Sequence, residues 1–199
     1  MSHTAASEHH ATPTWQGIPT TKFAMWLFLA SEVMFFAGLI GAYVALRSGA
    51  LGWPVISEKL NVALVALNTF ILICSSVTMV RAFAAIEDGN QRGLRAMLIA
   101  TAVLGFIFLS IQGVEWSELI RENGGQWVEV DLFSSVFFTL TGFHGLHVLG
   151  GVLALVVTIS KAVRGHFTSA DHTGVELMGL YWHFVDIVWI FLFTIIYLI

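Results

Sequence analysis

Five long apolar segments dominate this chain of 199 residues. They cover residues 23–46, 62–86, 94–120, 132–160 and 174–199, and each has 24 to 29 residues. A helix needs about 20 apolar residues to cross the hydrocarbon core of a bilayer, so each segment is long enough to span it. No segment alternates apolar and polar residues as a strand of a membrane β-barrel does. The pattern predicts an all-α integral membrane bundle of five transmembrane helices.

The composition agrees with a membrane protein and excludes several other classes. Hydrophobic residues make up 57% of the chain and charged residues 11%, with a mean hydropathy of +0.81. Soluble domains have about one quarter charged residues. The net charge of −4 gives no indication of a nucleic-acid partner. Cys74 is the single cysteine, so neither a disulfide framework nor a cysteine metal site forms within one chain.

A polar segment, residues 1–22, precedes the first apolar segment. It lacks the basic region and the small-residue cleavage site of a secretory signal peptide, so we interpret it as a tail before a single transmembrane domain, residues 23–199. Lys and Arg are in excess in cytoplasmic loops, and their distribution predicts the N-terminus inside and the C-terminus outside. The inner set is Lys22, Arg81, Arg92, Arg95, Lys161 and Arg164, and the outer set is Arg47, Lys59 and Arg121.

Several ionisable residues lie within the apolar segments, where a charged side chain costs at least about 2.5–3.5 kcal/mol. His183 and Asp186 are three residues apart in the last segment, so on a helix they share a face and we expect them to pair. His144 and His147 have the same spacing in the fourth segment. The complete set is Glu32, Glu115, His144, His147, His183 and Asp186. Each of these residues needs a partner or a function.

The residues by themselves leave three interpretations open. His144 and His147 could bind a metal with Glu32 or Glu115, and a haem would need one histidine as an axial ligand. A stand-alone metal- or haem-binding membrane protein would use His183 as well. The polar groups could instead satisfy one another across helices, or line a cleft that holds water or lipid head groups. The sequence shows no nucleophile with its base, and no inverted repeat supports a transporter.

Five motifs together resemble subunit III of the haem–copper respiratory oxidases. They occur in the order of that family and cover every apolar segment except the third, where IQGVEW is a weaker match. The five-segment pattern is similar to the bacterial form of the subunit, which occurs in both cytochrome c and quinol oxidases. The motifs are ASEVMFFAG at 30–38, LNT at 67–69, TGFHGLHV at 141–148, HFTS at 166–169 and YWHFVDIVW at 181–189.

The resemblance implies a location for each candidate site residue. Glu32 matches the membrane glutamate of the family, which lies near the interface with subunit I. Lys161 and Arg164 match a basic region that meets lipid phosphate on the inner side. The helices of the family surround a V-shaped cleft that holds phospholipid. The residues implied to support this cleft are Trp26, Glu115, His144, His147, His183 and Asp186.

The resemblance also implies the function and the partners. The chain is expected to be a non-catalytic subunit of a proton-pumping terminal oxidase in the bacterial plasma membrane, without catalytic, cofactor-binding or metal-ligating residues of its own. Haem and copper are expected in the partner subunits, and bound phospholipid in this one. Subunit I is the expected direct partner, with subunit II, a small subunit IV and a larger respiratory supercomplex as further candidates. An accessory protein of a nitric oxide reductase is the alternative.

Overall fold

The computed structural model describes residues 14–15, 18–50, 52–53, 60–122, 124 and 131–199, and long helices make up most of that part of the chain. All five helices are long and apolar enough to cross a membrane. The predicted all-α membrane bundle is therefore confirmed, while the orientation of the termini and the V-shaped cleft stay predictions. The helices are α1 Thr20–Gly49, α2 Val62–Glu87, α3 Gln91–Glu122, α4 Leu132–Val163 and α5 Thr173–Phe193, and α5 continues as a π-helical turn, Thr194–Leu198.

When the π-helical turn is counted with α5, the predicted segments agree with the observed helices to within three residues at either end. Two short strands, β1 Thr14–Trp15 and β2 Ile18–Pro19, form an antiparallel pair in the segment predicted as a polar tail. Residues 1–13, 16 and 17 of that tail lie outside the described residues, as does Lys59 of the charge count.

Local residues set where the helices begin and turn. The Asn61 side chain accepts a hydrogen bond from the Leu64 N–H at the start of α2, and Asp131 accepts one from the Ser134 N–H at the start of α4. Such caps satisfy donors that the first helical turn leaves free. Gly89 has a φ of 71° in the short turn between α2 and α3, a conformation that is readily accessible to glycine. The short connection makes these two helices antiparallel neighbours.

The fifth helix is central to the bundle, because it packs against α1, α2 and α4. α2 packs along α3, and α3 packs against α4. α1 lies at the edge, and its buried side chains are Leu29, Phe36 and Tyr43, which recur every seven residues. A seven-residue repeat gives a narrow seam of contact along one side of a helix. Most of the α1 surface is therefore available to lipid or to another protein.

The Trp182 side chain of α5 is inserted between three neighbouring helices. Its indole N–H donates a hydrogen bond of 2.9 Å to the Ser75 hydroxyl on α2. The opposite edge of the ring lies against Gly105 on α3 and Gly151 on α4, where added Cβ atoms would come within 2.5 Å and 2.9 Å of the ring. The absence of side chains at these two glycines leaves the space that the indole occupies.

We predict that Gly105→Ala destabilises the protein by about 1–3 kcal/mol, because the added methyl group overlaps the Trp182 ring. Gly113→Ala is the matched control on the same helix, since an added Cβ there meets nothing within 4 Å. The control is expected to be neutral or slightly stabilising, because alanine favours a helix. Thermal unfolding of the detergent-solubilised protein measures both. Equal effects of the two substitutions would show that Trp182 is not confined at this position.

Candidate functional site

Glu32 of α1 and His147 of α4 form a pair across the bundle. Glu32 Oε2 and His147 Nε2 are 3.0 Å apart, and each side chain is 19% exposed. The other ring nitrogen, Nδ1, is 2.7 Å from the Phe143 carbonyl oxygen on the same helix. A carbonyl oxygen only accepts, so Nδ1 carries a hydrogen and Nε2 is the nitrogen that faces the carboxylate. This contact agrees with one of the three interpretations left open by the sequence, that membrane-depth polar groups satisfy one another across helices.

The hydrogen bond between Glu32 and His147 requires a proton between the two facing atoms. Because the Nδ1 hydrogen is directed at the Phe143 carbonyl, this proton is additional to the one that a neutral imidazole carries. The pair then has no net charge, whichever of its two members holds the proton. Neutrality removes most of the cost of placing a carboxylate within an apolar helix bundle. Tyr181 of α5 donates a hydrogen bond of 2.9 Å to the His147 carbonyl oxygen, so a third helix joins this site.

His144 has a different environment from His147, although the two share the HxxH spacing. Its ring is fully buried and stacks on Trp189 of α5, with ring centroids 4.8 Å apart. Phe108 of α3 meets the same ring edge-on at 5.9 Å. Neither ring nitrogen has a hydrogen-bond partner within the described part of the chain. His144 therefore packs as an aromatic core residue, while His147 reaches α1.

The YWHFVDIVW motif attaches α5 to α2 through three hydroxyl groups. Two indole N–H groups donate to hydroxyl oxygens at 2.9 Å, and one histidine nitrogen lies 2.6 Å from a third hydroxyl. Apolar surfaces alone associate weakly within lipid, so these hydrogen bonds add stabilisation to the contact between α2 and α5. The pairs are Trp182 with Ser75, His183 with Ser76, and Trp189 with Thr69.

The predicted direct pair of His183 and Asp186 is wrong. Ser76 occupies His183 Nδ1, and both Asp186 carboxylate oxygens are without a hydrogen-bond partner among the described residues. Asp186 is only 4% exposed. Ser76 also interacts electrostatically with this carboxylate, although the pair lacks the geometry of a hydrogen bond. The helix spacing was interpreted correctly, but the imidazole turns towards α2, which supplies a closer partner.

Glu115 of α3 pairs with a residue in the π-helical turn at the end of α5. Tyr197 donates a hydrogen bond of 3.1 Å to Glu115 Oε2, and Oε1 has no hydrogen-bond partner in the described ranges. One turn earlier on α3, the Gln112 amide donates to the Thr141 carbonyl oxygen of α4 at 2.9 Å. Both side chains are buried, so they join α3 to its neighbours and face away from lipid.

The remaining predicted site residues lie on the surface. Trp26 is 59% exposed, and Lys161 and Arg164 are exposed at the end of α4. A groove of about 360 Å³ runs between α1, α4 and α5. Met25 and Tyr181 are among its lining residues, with Thr158 towards the end of α4 that carries Lys161. The structure does not bring Trp26 together with the buried polar residues.

The three histidines proposed as metal or haem ligands do not converge. His144 stacks on an aromatic ring, His147 faces a carboxylate, and His183 faces a hydroxyl group. Within the described residues, no group of three or more His, Cys, Asp and Glu side chains is arranged to hold a metal ion.

Sequence reasoning did not find the hydroxyl partners on α2. Hydroxyl residues are inexpensive in an apolar helix and bond to their own backbone, so a single one gives no signal. A detectable signal was the occurrence of four of them on α2. The three that contact α5 are Thr69, Ser75 and Ser76, and the fourth is Thr78.

These observations define a class of protein: a multi-pass helical membrane protein whose intramembrane polar groups mostly bond to neighbouring helices. Comparison with known proteins gives the family. The family model described as cytochrome c oxidase subunit III matches residues 1–199, so the chain belongs to that family. The resemblance inferred from the motifs is thereby confirmed.

Named relatives agree with the family assignment. The chain is 41% identical to a probable cytochrome c oxidase subunit 3 of Nocardia farcinica over 174 residues, which cover 87% of this chain and 85% of the relative. It is 40% identical to a cytochrome c oxidase subunit 3 of Synechocystis over 98% of this chain and 80% of the relative. A third, from Thermostichus vulcanus, is 38% identical over 87% and 84%. These relatives and the five helices support a multi-pass protein of the bacterial plasma membrane, and none favours the nitric oxide reductase alternative.

We predict that Glu32 and His147 are energetically coupled. A double-mutant cycle of Glu32→Ala, His147→Ala and the combined variant is expected to give a coupling energy of about 0.6 kcal/mol and at most about 1.7 kcal/mol, the average and the maximum measured for hydrogen bonds within a membrane protein. Glu32→Gln should cost less than Glu32→Ala, because an amide can still donate to the imidazole. Thermal unfolding of the purified protein measures the cycle, and additive single effects would contradict the pair.

We predict that His183→Ala and Asp186→Asn differ in their effects. His183→Ala removes the bond to Ser76 and is expected to lower the free energy of unfolding by about 1–2 kcal/mol. Asp186→Asn breaks no hydrogen bond and removes a carboxylate from a buried position, so it should leave the free energy of unfolding unchanged or raise it. Large, non-additive losses from both substitutions would instead support the direct His183–Asp186 pair.

Proposed function

We propose that this chain is the non-catalytic subunit III of a proton-pumping haem–copper terminal oxidase, where it stabilises subunit I and helps to sustain proton uptake. The observation that carries the proposal is the use of the intramembrane polar groups. Glu32, His147 and His183, together with the two tryptophans of the α5 motif, bond to neighbouring helices. Side chains used in this way hold a scaffold together. Haem and copper, which perform the redox chemistry, belong to the partner subunits.

The proposed interface with subunit I includes α1. Its contact seam within the chain is narrow, and large apolar side chains such as Trp26 and Met34 face outwards. Glu32 lies on this helix at membrane depth and is held in place by His147. A rigid, electrically neutral pair at the edge of the bundle gives the neighbouring subunit a fixed surface. Subunit II, a small subunit IV and a larger supercomplex are further proposed partners.

Bound phospholipid is the second part of the proposal. The groove between α1, α4 and α5 has mainly apolar lining residues, and its volume of about 360 Å³ is large enough to receive part of an acyl chain. Lys161 and Arg164 are exposed at the end of α4, where the helix leaves the apolar region. Lys and Arg beside a membrane attract anionic head groups. With the proposed orientation, N-terminus inside, these two residues lie on the cytoplasmic side, where residues 1–22 form the tail before the membrane domain.

We predict that oxidase subunits I and II co-purify with an affinity-tagged copy of this chain, as identified by mass spectrometry. A complex that lacks the chain should start at near-normal turnover and then lose activity faster than the intact complex, because its environment for proton uptake is no longer maintained. Turnover is followed in reconstituted vesicles over many cycles. Cytochrome c is the electron donor in this turnover assay, because the relatives are named cytochrome c oxidase subunits.

The control for lipid binding is the double variant Lys161→Gln, Arg164→Gln. It is expected to retain the subunit composition of the complex and to lose anionic phospholipid, measured by lipid extraction from the same preparation. Unchanged activity and unchanged lipid content after removal of the chain would overturn the proposal.

A further inference from the structure

A groove of about 280 Å³ between α2 and α5 contains a polar group near the middle of the membrane. Its lining includes Met79, Val80 and Phe83 from α2, and Glu176, Leu180 and His183 from α5. At one end of the groove Glu176 forms an ion pair of 2.7 Å with Lys22 of α1. His183 is the polar lining residue nearest to the middle of α5.

The depth of His183 follows from helix geometry. With its π-helical turn, α5 spans Thr173–Leu198, and His183 lies about 4 Å from the midpoint at a rise of 1.5 Å per residue. The hydrocarbon core extends about 15 Å to either side of the bilayer centre. Lipid head groups are therefore about 10 Å or more away from this imidazole, and acyl chains offer no hydrogen bond. Lipid alone cannot satisfy a polar group at this depth.

The imidazole has one hydrogen-bonding position that the chain leaves unused. Its Nδ1 atom is 2.6 Å from the Ser76 hydroxyl, and Nε2 forms no hydrogen bond within the described part of the molecule. In one neutral tautomer Nε2 is a hydrogen-bond donor, and in the other it is an acceptor. In both tautomers it therefore lacks a hydrogen-bond partner within the described residues. Three residues further along α5, the buried Asp186 carboxylate is likewise without a hydrogen-bond partner in the described ranges. Polar groups within membranes normally pair with other protein groups.

We propose that a transmembrane helix of another oxidase subunit packs into this α2–α5 groove and places a hydrogen-bonding side chain against His183 Nε2. The proposal rests on the assignment of this chain as an oxidase subunit. Charge disfavours a second copy of the chain as the occupant. Two facing copies would bring together two grooves that each have one acidic lining residue, Glu176, and no lining lysine or arginine.

The outward face of α5 has the shape that such a contact needs. Leu180, His183 and Ile187 follow one another at three- and four-residue spacing, so they lie on one side of the helix. Gly179 beside them lines the same groove and lies next to the Met79 side chain of α2. Small residues at this position allow helix backbones to approach closely.

The test uses a photoreactive residue in the intact complex. Val80, which is 55% exposed and lines the groove, is replaced by p-benzoylphenylalanine in an affinity-tagged chain. Val103 of α3 is the matched control, because it is the same residue type, is 51% exposed and lies outside this groove. After illumination in native membranes, the Val80 position is expected to form an adduct with another oxidase subunit, and the Val103 position with lipid.

A second measurement examines the role of His183. In the Val80 crosslinking chain, His183→Leu should lower the adduct yield about threefold, as expected for one hydrogen bond within a membrane. Ser76→Ala removes the internal bond of the same ring but leaves Nε2 available, so it should lower the yield less. Equal losses from the two substitutions would assign the effect to the fold of the chain and overturn the proposed contact.

The crosslinking outcomes distinguish this inference from the proposed function. Adducts with lipid only, with a second copy of the chain or with an unrelated protein would overturn the groove contact. So would equal protein adducts from Val80 and Val103. If the oxidase subunits still co-purify in these cases, the proposed function stands and only the docking surface fails. If they do not co-purify at all, the proposed function fails as well.

Discussion

The position of Trp182 among three helices is the contact on which the bundle most depends. Its indole ring lies against glycine backbone on α3 and α4 and donates a hydrogen bond to Ser75 on α2. Because Trp182 belongs to α5, one side chain fixes the distances among four of the five helices. Lipid is as apolar as the side chains that it contacts, so the hydrophobic effect does little to hold helices together in a membrane. Close packing and interhelical hydrogen bonds must supply that stabilisation.

The edge helix depends on a different set of contacts. α1 buries a narrow seam, and polar interactions near its start, middle and end add to it. Lys22 pairs with Glu176 near its start, Glu32 with His147 near its middle, and Arg47 donates to the Ile199 carbonyl oxygen near its end. Regularly spaced polar contacts hold the helix in register without burying its surface. This arrangement leaves a large apolar face that a neighbouring subunit can cover.

The distribution of polar groups explains how this subunit accommodates so many membrane-depth ionisable residues. A catalytic or metal site brings several such groups to one point. In this bundle they are separated: His147 faces a carboxylate, His144 an aromatic stack and Glu115 a tyrosine. Each contact joins a different combination of helices. The cost of placing polar groups in the membrane is offset by the specific pairing of helices that they provide.

The sequence by itself determined the membrane location and the five helices, because the length and apolarity of a spanning segment are local properties. It also indicated the family, because the motifs are short runs of consecutive residues. Motifs such as YWHFVDIVW also indicated which residues carry the interior contacts. Only the tertiary structure decided the partners. His183 and Asp186 share a helix face, yet the imidazole bonds to Ser76, because a side chain on α2 lies closer than its neighbour three residues away. Helix spacing fixes which residues share a face, whereas partner choice depends on how the helices pack, which no single segment encodes.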